Sequence, residues 1–150
     1  MDAFDFCKAN GRALISFKTA GKQTELQTYL PAIISTCKYA NYFVHLHLFE
    51  WFIEYLNFVD LLTADSLFTR IGFWTSGTYC KETSTTNIYC SSKNTWAWAA
   101  TRENFGYVNW EMDQPDMINS PRDVCARAVP TTNYKWDDID CGQFLPFICE

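Results

Sequence analysis

Asp113-Gln114-Pro115-Asp116, followed by Asp123 and Cys125, then Trp136-Asp137-Asp138 closed by Cys141, concentrates carboxylates, an amide, a proline and two cysteines in one short span. A hard cation such as calcium takes roughly six to eight oxygens from carboxylates and amide carbonyls. Gln114, Asp116, Asp123, Asp137 and Asp138 would supply that shell if two loops brought them together. Four of the five are anionic, so without a cation they repel one another. The competing reading is a set of solvated loop acids, and the spacing weighs against it. Cys125 and Cys141 bracket Asp137-Asp138, and a disulfide closing that loop would contribute on the order of 3 kcal/mol while holding it against the Gln114 loop. Pro115, between two of the oxygen-bearing side chains, suits a cis peptide, which reverses the chain and turns both neighbours to one side.

Working outward, the chain has 150 residues, 48% of them hydrophobic. That is enough for one domain with its own core and argues against disorder. A net charge of -5 and no basic cluster make nucleic acid an unsuitable partner. The seven cysteines, Cys7, Cys37, Cys80, Cys90, Cys125, Cys141 and Cys149, contain no Cys-x-x-Cys pair. They read as a disulfide framework in an oxidising compartment rather than a zinc or redox site. Met1-Asp2-Ala3-Phe4-Asp5-Phe6 carries neither a basic nor an apolar leader region. The expectation is a secreted, extracellular protein whose signal peptide is missing from this sequence.

Short elements are legible along the chain. Ala13 to Phe17 reads as a strand after a turn at Asn10-Gly11. Thr19 to Leu30 reads as a helix, with Thr24-x-x-Gln27 as a capping box and Pro31 as its end or bend. Residues 31–68 are nearly continuous in large apolar side chains. Within them, Glu50, Glu54, Asn57 and Asp60 draw one polar stripe on an apolar helix. A membrane span is disfavoured there, because central charges cost roughly 2.5–3.5 kcal/mol each. Strands are expected at Phe73–Gly77, Trp96–Trp98, Phe105–Trp110, Tyr134–Trp136 and Phe144–Ile148, with Trp74, Trp96, Trp98 and Trp110 in the core and Trp136 supporting the acidic loop.

The chain resembles the C-type lectin domain family, in the style of insect secreted lectins. The resemblance rests on Gln114-Pro115-Asp116, Cys125, Trp136-Asp137-Asp138, Cys141 and the ending Phe147-Ile148-Cys149-Glu150. Cys7 before Ala13-Leu14-Ile15-Ser16, Phe73-Trp74-Thr75-Ser76-Gly77 and Gly106-Tyr107-Val108-Asn109-Trp110 add to it. It covers about residues 4–30 and 70–150. It implies a single α+β domain over residues 1–150, with two helices on antiparallel sheets and a long calcium-binding loop region, interrupted by an atypical insert at about 31–68. It implies the disulfides Cys7–Cys149 and Cys125–Cys141; Cys80–Cys90 remain as a local pair. Cys37 is left over, either free or bridged to a second chain. Two readings of the insert stand: an extra helix that makes a partner or oligomer surface, or an error in the sequence.

Function follows from the same resemblance. Gln114, Asp116, Asp123, Asp137 and Asp138 would hold one Ca2+ and hydrogen-bond two vicinal hydroxyls of a galactose-type sugar, in recognition of microbial or cell-surface glycans. Asp137 stands where the family usually has Asn. It can ligate a cation but cannot donate to a hydroxyl, so sugar affinity is expected to fall or shift. Met117 and Ile118 stand where galactose binders often place a stacking aromatic. The alternative is a lectin-like module that binds a protein partner and has no sugar activity. No catalytic motif is evident, so the expectation is a binding module and not an enzyme. His45 and His47 lack a third metal ligand.

Overall fold

The computed structural model describes residues 3–39, 72–82, 89–145 and 147–150, with only the backbone given for 30–39. Most of the expected insert, including His45, His47 and the striped helix from Glu50, lies outside the described residues, as does the side chain of Cys37.

Helix α1 (Ala3–Ala9) is too short to announce itself by periodicity and went unread in the sequence. It is held by Cys7, which is fully buried. Gly11 ends it at φ +68°, a left-handed value that glycine reaches without a Cβ penalty. The following segment does not form a free-standing strand. Ala13 and Glu150 exchange two backbone hydrogen bonds, Ile15 N–H donates to the Ile148 carbonyl, and the Ile15 carbonyl accepts from Ser76. The two ends of the described chain are thus stitched side by side.

Helix α2 spans Ala20–Tyr39. Its cap is Thr19, whose hydroxyl accepts the Lys22 N–H at 3.2 Å. The expected box at Thr24 does not form; that hydroxyl donates to the Ala20 carbonyl inside the helix. Pro31 does not end the helix. Its fixed φ is a helical value, so what it removes is one amide donor.

Five antiparallel strands make one sheet in the order β3-β2-β1-β4-β5. They are β1 (Phe73–Cys80), β2 (Thr95–Trp98), β3 (Glu103–Asn104), β4 (Val124–Val129) and β5 (Lys135–Asp140). β1 runs through Gly77 instead of stopping there. A Cβ at that position would stand 2.8 Å from Phe105 Cζ and 2.9 Å from the Ala126 Cβ, so the glycine serves close packing and not a turn. The expected strand at Phe105–Trp110 is irregular chain, because its amides serve the core edges: Phe105 N–H donates to Trp96, and the Asn109 carbonyl accepts from Trp136. Phe144–Ile148 is likewise no strand, and Phe144 is 99% exposed.

The core sits on one face of the sheet. Phe17, Phe73, Trp98 and Trp136 are fully or almost fully buried there, with Ile15 and Leu26. Phe17 stacks on Trp136 with centroids 6.0 Å apart, and Trp98 on Phe105 at 4.1 Å. Such rings carry most of a small core's apolar burial. On the other face a smaller cluster of Cys7, Leu14 and Cys149 is covered by Phe4, Phe6 and Phe147. Disulfides join Cys7 to Cys149, Cys80 to Cys90 and Cys125 to Cys141. With two helices and one antiparallel sheet, the architecture is α+β. Among the described residues no helix is long and apolar enough to cross a membrane.

Candidate functional site

β5 carries the acidic pair, and its alternation separates the two acids. Trp136 and Asp138 are buried on the core face, while Lys135, Asp137 and Ile139 face the other way. Trp136 fixes the strand. Its indole N–H donates to Gln23 Oε1 at 3.0 Å, and Gln23 Nε2 donates to the Tyr134 carbonyl at 2.9 Å. Its backbone also exchanges hydrogen bonds with Asn109 and Glu111, at the entrance to the Gln114 loop.

The Gln114-Pro115 peptide is cis. The turn it makes lays the next two amides on Asp138. Asp116 N–H donates to Oδ1 at 2.8 Å and Met117 N–H to Oδ2 at 2.9 Å. Asp138 is 2% exposed. Burial pushes its carboxyl above the ordinary aspartate value; the two amides oppose that rise, and the neighbouring Asp116 charge adds to it. Gln114 Oε1 is buried and has no hydrogen-bond partner.

Asp137 is differently placed. It lies directly opposite Arg127 of β4. Arg127 Nε donates to Oδ1 at 2.6 Å and Nη2 to Oδ2 at 2.8 Å, a two-toothed grip on both oxygens. Asp123 is exposed, and its carbonyl accepts the Cys141 N–H. It stands at the wall of a cavity of about 310 Å³ lined also by Leu14, Trp74 and the Cys125–Cys141 bridge. Nearby, Arg122 donates to Asp140 at 2.6 Å and holds that carboxyl below its usual range.

The structure therefore brings the Gln114–Met117 backbone against Asp138, leaves Asp137 on Arg127, and sets Asp123 at the cavity wall. Among the described residues no three Asp, Glu, His or Cys side chains converge on a point that could hold a metal. Tested against a hard cation, the loop half fits. Gln114 Oε1 is an oxygen without a donor, and a carboxylate with about four lone-pair sites keeps capacity after two N–H bonds. Asp137 does not fit while Arg127 occupies both its oxygens. Sequence reasoning missed Arg127 and Gln23. Arg127 had one available signal: strand pairing set by the Cys125–Cys141 loop, had β4 been read, puts it across from Asp137.

No protein-family model matches the chain. Among curated proteins it is similar to the C-type lectin lectoxin-Enh2 of Pseudoferania polylepis, 28% identical over 60 residues, which is 40% of this chain and 53% of that protein. It is also similar to the C-type lectin BfL-2 of Bungarus fasciatus, 32% identical over 59 residues, 39% of this chain and 36% of that protein. The matched stretch thus spans about half the length of the first relative and less of the second. Among solved structures, the carbohydrate-recognition domain of the mouse scavenger receptor C-type lectin has the same fold. The TM-score is 0.55 at 17% identity, over 99% of this chain and 78% of that one. The chain is a disulfide-stapled α+β module of the lectin-like class. It belongs to the C-type lectin-like domain family, and it is a binding module and not an enzyme.

Proposed function

We propose that the chain is a calcium-dependent carbohydrate-binding module acting outside the cell, with a galactose-type glycan as ligand. The observation that carries this reading is the loop geometry: a cis Gln114-Pro115 turn clamped on buried Asp138, with Gln114 Oε1 left unpartnered. Gln114, Asp116 and Asp138 would hold the cation, joined by Asp123 and Asp137 from the neighbouring segments. Calcium would supply the positive charge that this acidic set lacks and two coordination places for vicinal hydroxyls. The oxygens that ligate a hard ion are also acceptors for those hydroxyls. Three disulfides agree with an oxidising, extracellular setting.

The test is retention on immobilised galactose and mannose in calcium, followed by chelator. Selective retention on galactose with release by chelator is expected. Asp138→Ala should abolish calcium binding in a titration; an unchanged titration would overturn the site. A second reading, a lectin-like module that binds a protein partner without sugar activity, draws on the grip of Arg127 on Asp137. Ligand binding that survives chelator would favour it.

A further inference from the structure

We propose that Arg127 is a built-in competitor for the cation of this site: it holds Asp137 out of the coordination shell and so sets calcium affinity. This rests on the calcium-dependent reading of the Gln114 loop and adds its regulation. Three observations carry it. Both Asp137 oxygens are engaged, at 2.6 and 2.8 Å, in the planar fork that guanidinium makes with carboxylate. The pair is fixed by strand register, with Arg127 and Asp137 directly opposed between β4 and β5, so neither side chain has to search for the other. Both side chains are about four-fifths buried, at 20% and 22% exposure. In that setting a charge pair is screened less than on an open surface.

Recruiting Asp137 to a cation then means opening this fork and leaving a partly buried guanidinium near a divalent charge. Both costs act in one direction, against binding. Replacing Arg127 with a neutral side chain of similar length removes both at once. The expected gain in calcium affinity is about tenfold or more, the equivalent of about 1.4 kcal/mol.

The experiment is calorimetric titration of calcium chloride into the wild-type chain, Arg127→Met and the double variant Arg127→Met/Asp137→Ala. A dissociation constant lowered by about tenfold in Arg127→Met, and restored to the wild-type value or weaker in the double variant, is the expected result. Equal affinity in wild type and Arg127→Met overturns the competitor role and leaves the calcium site standing. So does a double variant that stays tight, because the effect would then not pass through Asp137. Calcium binding in none of the three proteins overturns the calcium reading itself, and this inference with it. Should Arg127→Met fail to fold, Arg127→Gln carries the same measurement, since it keeps a donor for Asp137 without the charge.

Discussion

Tyr134 closes the turn that leads into β5. A short 3-10 segment at Pro130–Thr132 precedes it, and Tyr134 takes φ +58°, with its ring buried against Phe73. Burial raises its phenol above the ordinary value of 10.0. A raised pKa on a group that is neutral when protonated gives stability fully present below pH 10 and lost as pH climbs through the folded value. Alkaline unfolding followed by tryptophan fluorescence should accordingly be displaced to higher pH in Tyr134→Phe; an unchanged alkaline limb would assign it to other groups. The residues bearing oxygen at the site were legible in the sequence because their chemistry is explicit: Gln114, Asp116 and Asp138 have one obvious use, and a proline between ligands points to a reversal. Arg127 was not. An arginine two residues after a cysteine has no local signature, and its role exists only across a strand pair.

Among the elements, β5 is positioned by a helix that never touches the candidate ligands. Gln23 of α2, 2% exposed, gives its amide to Tyr134 and takes the indole N–H of Trp136, while Gln27 reaches the Asn133 carbonyl. Gln23→Leu keeps the volume and strands two buried polar groups, each costing about 1–3 kcal/mol. Urea denaturation should show a loss of that size, and a loss under about 0.5 kcal/mol would mean that other partners take over. Aromatic strands such as Trp96–Trp98 were readable from alternation. β4 was not, because Ala126 and Ala128 face the core where larger apolar residues would have advertised it. Small residues are required there: Ala126 already stands against Gly77. The reverse error, a strand expected at Phe105–Trp110, has the same root. Large rings mark burial, and burial does not require a ladder.

At the scale of the molecule, the long-range tie is Cys7–Cys149, separated by 142 residues. It is backed by the Ala13–Glu150 exchange and by Glu150, which receives the Ser16 N–H and pairs with Lys22 at 2.9 Å. In the chain-entropy model a loop of that span contributes on the order of 5 kcal/mol. Cys7→Ser/Cys149→Ser should therefore lower stability by roughly 2–5 kcal/mol, read as a fall in thermal midpoint that reducing agent does not deepen by a comparable step. The α+β class followed from spaced motifs that agree in order. Helix lengths and sheet membership did not, since α2 outruns a proline and two of the five strands carry no periodic signal.

The same bridge makes the backbone a closed ring from Cys7 to Cys149. A protease that clips it once, for instance after Arg102 in the exposed turn before β3, leaves two fragments that still migrate as one body until a reductant is added. Damage to the covalent chain is then silent in an oxidising environment, and the Gln114 loop stays tethered to its Asp138 partner because both lie on the same fragment.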